Sequence, residues 1–205
     1  MKHFVLLFCL TGSSLVFAQS PGYGIDETGG IPEGLKEGTL APDFSGMDQN
    51  GENIALGDQL KNGPVVLIFY RGYWCPVCNK YLSEFQKDVN LILNEGASVI
   101  AITPEQNDGV EKTIKKNDIG FSVLTDDKYS IMDQYGVRFL VTDKYSNKIK
   151  TFLFADIANN NGDDEANLPV PATYIIGKNG KIIKTFFDVN YKNRPSVEEI
   201  VEYLD

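Results

Sequence analysis

Histidine is almost absent from this chain: His3 is the only one among 205 residues. Cysteine is scarce too, with three, at positions 9, 75 and 78. Met1 to Ala18 reads as a secretory signal, with Lys2 and His3 leading, an apolar run from Phe4 to Val16, and a small-residue cleavage pattern ending at Ala18. Its apolar run is broken by Thr11-Gly12-Ser13-Ser14 and is shorter than the ~20 apolar residues a membrane-spanning helix needs. Cleavage would remove both His3 and Cys9. A mature chain of this kind keeps two cysteines and no histidine, which excludes a four-ligand Cys/His zinc site and Cys–His catalysis. No metal and no cofactor is expected.

Positive charge is also in short supply. Lys and Arg number 19 against 28 Asp and Glu, a formal charge of −9, and loss of Lys2 with the signal makes it −10. That balance argues against nucleic acid, or an anionic membrane, as the partner of the mature form. The expected location is outside the cytoplasm: periplasmic in a Gram-negative source, extracellular otherwise. With the signal set aside, the remaining length suits one domain. Residues 19–38, rich in glycine and without periodicity, are expected to form a flexible N-terminal arm, either a tether or an arm that wraps the body, and residues 39–205 the domain.

What is present centres on Tyr70-Arg71-Gly72-Tyr73-Trp74-Cys75-Pro76-Val77-Cys78-Asn79-Lys80. Before it, Val65 to Tyr70 is a continuous apolar run, the pattern of a strand buried on both faces. After it, Val77, Tyr81, Leu82, Phe85, Val89 and Ile92 recur at helical spacing, Pro76 suits the first helical position, and Asn94-Glu95-Gly96 supplies a stop. Cys75 then falls at the N-cap and Cys78 at N3. Side chains at those positions reach back to each other, so the sulfurs can pair without unwinding the helix. The helix N-terminus favours a thiolate there. A purely structural bridge closing so short a loop would add little stability, which favours a redox dithiol over a static disulfide.

Elsewhere strands and helices alternate. Strands are expected at Ser98–Thr103, Phe121–Leu124, Thr173–Ile176 and Lys181–Phe187, and helices near Asp108–Asn117, after Asp126 or Asp127, and from a Ser196 cap through Tyr203. Asn50-Gly51 marks one hairpin and Lys178-Asn179-Gly180 another. The alternation implies a largely parallel sheet covered on both faces. Arg138 to Asn167 breaks the rhythm. Its Asn159–Glu165 tract fails the calcium-loop register, because Ile157 would occupy the first ligand position, and reads instead as a solvated surface loop. Glu105 and Asp126 read as helix caps or first-turn acids.

Trp74-Cys75-Pro76-Val77-Cys78 at a strand-to-helix junction, with Val170-Pro171 before a late strand, resembles the thioredoxin superfamily. Within it, the chain from about Leu40 to Asp205 is similar to the alkyl hydroperoxide reductase C and thiol-specific antioxidant branch, the peroxiredoxin-like proteins. Gly38–Phe44, Phe69–Pro76, Ile102–Glu105, Phe121–Asp126 and Leu168–Tyr174 carry that likeness. The resemblance implies an α/β thioredoxin-like fold, a central mixed sheet flanked by helices with an N-terminal β-hairpin extension. It implies a thiol peroxidase using a Cys75–Cys78 disulfide that an external thioredoxin-like dithiol protein reduces, or alternatively a thiol–disulfide oxidoreductase acting on protein disulfides. Pro171 would be a cis-proline beside the dithiol.

The two likenesses assign the sulfurs differently. In the peroxidatic motif P-x-x-x-T-x-x-C, Arg71 takes the place of the Pro, Cys75 that of the Thr, and Cys78 that of the attacking cysteine. In thioredoxins the first cysteine attacks, which would be Cys75. Arg71 can stabilise a thiolate or the departing peroxide oxygen, with a solvated surface arginine as the plain alternative. Tyr73 and Trp74 can serve as core or as a docking surface for another redox protein.

Overall fold

The computed structural model describes residues 22–204. A short hairpin, β1 (Ser45–Met47) and β2 (Asn53–Ala55), turns at Gly51, whose φ of +80° suits glycine. Helix α1 (Leu56–Asn62) leads into β3 (Val65–Phe69), followed by α2 (Pro76–Asn94), β4 (Ser98–Thr103), α3 (Asn107–Asn117), β5 (Ser122–Thr125) and α4 (Ser130–Gln134). Next come β6 (Arg138–Leu140), α5 (Asp143–Leu153), α6 (Ile157–Asn161) and β7 (Asn167–Pro169). The chain finishes with β8 (Ala172–Ile176), β9 (Ile182–Phe187) and α7 (Val197–Val201).

The main sheet has the order β5-β4-β3-β8-β9. Its pairs β3–β4 and β4–β5 are parallel, whereas β3–β8 and β8–β9 are antiparallel. The sheet is therefore mixed, because β8 and β9 are joined by a tight hairpin rather than a crossover helix. All five residues of β3 are buried, and they alternate between two cores. Val66 and Ile68 face α2, where Leu82, Phe85 and Ile92 meet them, together with Val110, Ile149 and Ile200. Val65, Leu67 and Phe69 face the other way, onto Leu56, Leu60, Met132 and Tyr135. Burial on both faces accounts for the unbroken apolar run in the sequence.

Both sheet edges are covered, which removes the unpaired ladder that an edge strand exposes. At β5 the hairpin docks through Gln49, which accepts from Val123 N at 2.9 Å and donates to Phe121 O at 3.2 Å. At β9 the arm pairs Gly38 N with Ile182 O at 2.8 Å and Thr39 O with Ile182 N at 2.9 Å.

Of the two forms expected for the arm, residues 22–38 take the wrapping one: Asp26 N donates to Leu140 O, Gly34 N to Gly136 O, and Leu35 N to the Tyr174 hydroxyl, so backbone groups without a strand of their own are satisfied on the body. Residues 19–21 and the signal segment lie outside the described residues. The stretch from Arg138 to Asn167 carries β6, α5, α6 and the start of β7, with Phe139, Tyr145, Ile149 and Ile157 buried. One expectation is corrected in part: of the Asn159–Glu165 tract, Asn159 to Asn161 are the end of α6, and only Gly162 to Glu165 form an exposed turn. Thr142 caps α5 by accepting from Tyr145 N, and Asp156 caps α6 by accepting from Asn159 N. Among the described residues no group of His, Cys, Asp and Glu is arranged to hold a metal ion.

Candidate active site

The chain leaves β3 through Tyr70 and Arg71, turns with Cys75 N donating to Gly72 O at 3.1 Å, and enters α2 at Pro76. Cys75 is the N-cap, and its Sγ accepts from Cys78 N at 3.2 Å. Both cysteines are free thiols, and both have 0% relative exposure. Asn79 holds the turn from inside: its Nδ2 donates to Tyr73 O and Cys75 O, and its Oδ1 accepts from Asn117 Nδ2. A buried amide whose groups all find partners fixes a loop in one shape. This role was not anticipated, since Asn79 looks like an ordinary helical polar residue.

Arg71 is 3% exposed, so the surface alternative is discarded. Its Nη2 donates to Cys75 Sγ at 3.0 Å and its Nη1 to the Tyr145 hydroxyl at 2.8 Å. The Tyr191 ring covers the guanidinium, 3.6 Å from carbon to centroid, and the Trp74 ring lies 5.3 Å away. Burial opposes the charge, but the neighbouring sulfurs raise the arginine further above its ordinary range, and Arg71 stays cationic. A second arginine arrives from the chain after β9, with Arg194 Nη2 3.7 Å from Cys78 Sγ. No sequence signal linked Arg194 to the cysteines.

The two thiols titrate as one unit. Burial pushes Cys78 up, yet hydrogen bonding with the Cys75 thiol and the charges of Arg71 and Arg194 outweigh it and hold Cys78 well below the ordinary thiol range. Cys75 is driven well above that range, by burial first and then by the sulfur beside it. Direct donors by themselves pull the other way, because Cys75 Sγ accepts both the Cys78 N–H and Arg71 Nη2. We place the charge on Cys78, since both guanidiniums act on it and only one of the two adjacent sulfurs can ionise readily.

Glu105 is a further buried group, corrected from a helix-start acid. It precedes α3 but points inward, where its Oε2 accepts from Tyr73 N at 2.6 Å and its Oε1 has no partner. Burial raises its carboxyl to about 8, so it can hold or release a proton near neutral pH beside the dithiol. Gly72, at φ +148°, lets the backbone pass against it.

The remaining expected residues are placed less centrally. Trp74 is 6% exposed and packed in the core, so it offers no docking surface here, while Tyr73 is half-buried with Lys112 Nζ 5.0 Å from its ring. Pro171 is buried at the entry to β8, at the sheet end from which the chain leaves β3 toward Cys75. It is not cis: no peptide bond among the described residues is. Val170 N donates to Val137 O at 2.7 Å, which sets the chain on course for β8 with the ordinary trans bond, the lower-energy form.

A mixed sheet with a buried dithiol at a helix start, and an arginine against each sulfur, defines a thiol-based redox protein of the thioredoxin-like fold. Residues 38–185 match the AhpC/TSA family, and the chain belongs to that family. It is 27% identical over 186 residues to the thiol-disulfide oxidoreductase ResA of Bacillus subtilis (strain 168), covering 90% of this chain and 86% of the relative. It is 24% identical over 170 residues to the chloroplastic peroxiredoxin Q of Gentiana triflora, covering 83% and 67%. In fold it is similar to the peroxidoxin BcpB from Mycobacterium tuberculosis, with a TM-score of 0.63 at 21% identity, covering 83% of this chain and 96% of that one.

Proposed function

We propose that this protein is a peroxiredoxin-like thiol peroxidase that reduces hydroperoxides through Cys75 and Cys78. The observation that carries the reading is a pair of free thiols, fully buried, with a guanidinium on each sulfur. The cations favour both the thiolate and the negative oxygen that develops as the peroxide bond breaks.

In the reaction, a thiolate attacks one peroxide oxygen and the O–O bond breaks. The departing alkoxide or hydroxide takes up a proton, and the sulfur becomes a sulfenic acid, oxidised by two electrons. The second thiol attacks that sulfur, water leaves, and a Cys75–Cys78 disulfide forms. An external thioredoxin-like dithiol protein supplies the two electrons and two protons that restore the thiols. Export through residues 1–18 belongs to the same proposal, and mass measurement of the secreted protein tests it. Stopped-flow mixing of the reduced protein with hydrogen peroxide tests the activity: oxidation far faster than for a free thiol is expected, and a rate no faster overturns it.

A second reading, thiol–disulfide exchange on protein disulfides, is favoured by one observation, the N-cap Cys75 sulfur with its two donors. That placement suits attack by the first cysteine of a Cys-x-x-Cys pair. The ResA relative is consistent with it. Trapping of a mixed disulfide by Cys78→Ser, with reduction of insulin by the unsubstituted protein, supports this reading; absence of both removes it.

A further inference from the structure

Between β9 and α7, residues 188–195 have no regular secondary structure and pass over the dithiol as a strap. Polar contacts brace its turn: Asn190 N donates to Asp188 Oδ1 at 2.8 Å, and Asn193 Nδ2 to Asp188 Oδ2 at 2.7 Å. The strap sends two side chains inward. Tyr191 lies against Arg71, and Arg194 extends to Cys78. The Arg194 stem is aimed from within the strap, because its Nε donates to Tyr191 O at 3.2 Å, and its guanidinium sits 5.0 Å from the Tyr81 ring. Its Nη1 is buried with no partner.

Arg194 borders one depression with Asp188 and Glu199 and another with Glu84 and Asp88, yet among the described residues no carboxylate lies within 4.0 Å of it. An arginine surrounded by acids would normally pair with one. Here its nearest anionic candidate is a sulfur.

The arginines are divided between the sulfurs. Arg71 is committed to Cys75 and Tyr145, while Cys78 has Arg194 as its side-chain donor. Without Arg194, the donors favour Cys75, which accepts from both Arg71 and the Cys78 N–H. The titratable and charged groups around Cys78 are Cys75 on its own helix, Tyr70 and Arg71 at the exit of β3, Glu105 at the exit of β4, and Arg194 on the strap. Among them, Arg194 is the one whose side chain contacts Cys78 and not Cys75.

We propose that Arg194 is a catalytic residue that selects the attacking sulfur, directing ionisation, and with it the first nucleophilic attack, to Cys78 rather than Cys75. This rests on the redox-dithiol reading above and resolves the conflict between peroxidatic and thioredoxin-type registers in favour of the second cysteine.

The test reads thiol ionisation and not turnover, so it is independent of whether peroxide is the substrate. In a Cys75→Ser background, the ultraviolet thiolate absorbance of Cys78 is followed against pH with Arg194 intact, and with Arg194→Gln or Arg194→Lys. Arg194→Gln should raise the Cys78 pKa by about one unit or more, and Arg194→Lys should restore most of that shift. In a Cys78→Ser background, Arg194→Gln should leave Cys75 nearly unmoved. Equal shifts in both backgrounds, or none at Cys78, overturn the proposal. A second measurement needs no variant: the reduced natural chain is treated with substoichiometric iodoacetamide and the labelled peptide is mapped. Label on Cys78 supports the proposal, and label mainly on Cys75 overturns it. Slow peroxide oxidation combined with a low Cys78 pKa would instead sink the peroxidase reading alone.

Discussion

The Arg71 guanidinium lies over the Tyr191 ring, its carbon 3.6 Å from the ring centre, so a residue from the strap covers the arginine that bonds Cys75. Tyr23 of the arm packs edge-on to the same ring at 5.7 Å. The arm and the strap, distant in sequence, thus close one side of the site together. A cation held against an aromatic face out of water is worth about 2 kcal/mol. Tyr191→Ala should lower unfolding stability by about that amount and speed alkylation of the thiols, whereas Tyr191→Phe, which keeps the ring, should do neither. Urea unfolding and iodoacetamide kinetics on the two variants check this, and equal behaviour of Ala and Phe would contradict it.

Arg71 engages through two nitrogens at once, one to Cys75 Sγ and one to the Tyr145 hydroxyl. Lysine is a single flexible point charge and cannot reproduce that fork. Arg71→Lys should therefore slow peroxide oxidation nearly as much as Arg71→Met, by about 10²-fold, in the range seen when one donor to a developing oxyanion is removed. Tyr145→Phe, which leaves the sulfur contact in place, should cost severalfold at most. Stopped-flow rates for the three variants decide it; a lysine variant near the natural rate would show that charge alone suffices.

How much of this site could be read from the sequence depends on whether its residues are neighbours in the chain. The N-cap position of Cys75 and the inward face of α2 follow from local spacing, and the double burial of β3 from an unbroken run of apolar residues. The main sheet was expected for the same reason, and its antiparallel half was legible at the Asn179-Gly180 turn. Arg194 and Tyr191 were not legible, because nothing local in a polar connection announces which distant sulfur it covers. Tyr145 was missed with its helix: α5 buries only Tyr145 and Ile149, too narrow an apolar stripe to stand out, and Phe152 and Phe154 lie exposed at its end. Glu105 was misjudged because an acid just before a helix usually caps it. This one is turned inward, where Gly72 and Gly109 leave room for its carboxylate.

Gly72 is the tightest backbone point of the site. Its φ of +148° is one that residues with a side chain rarely adopt, and a Cβ placed there would stand 2.5 Å from Glu105 Cδ and 2.7 Å from Trp74 Nε1. Both neighbours are buried and cannot swing into solvent. Gly72→Ala should therefore destabilise the protein by about 3 kcal/mol or more, combining backbone strain with overpacking. Gly51→Ala is the comparison, since Gly51 also has a positive φ but nothing within 4 Å of its Cβ position. Denaturation of the two variants should separate strain from crowding, and equal losses would show that crowding at Gly72 contributes nothing.

Glu105 links stability to pH with a definite sign. Its carboxyl titrates near 4.5 when unfolded and at about 8 when folded, chiefly because burial disfavours the charged form. Between those values the folded chain holds a proton that the unfolded chain has released, so unfolding stability falls as pH rises. The contribution is complete below about pH 4.5 and gone above about pH 8, and its full size is on the order of a few kcal/mol. Glu105→Gln keeps an acceptor for Tyr73 N and a side chain of the same shape but cannot ionise. The other titrating groups are present in both proteins, so the difference between their stability curves reports this carboxyl together with its coupling to Cys78. The Gln variant should match the natural protein in mild acid and exceed it increasingly toward pH 8. Urea unfolding across that range measures the difference, and two parallel curves would mean that Glu105 is already ionised in the folded state at neutral pH.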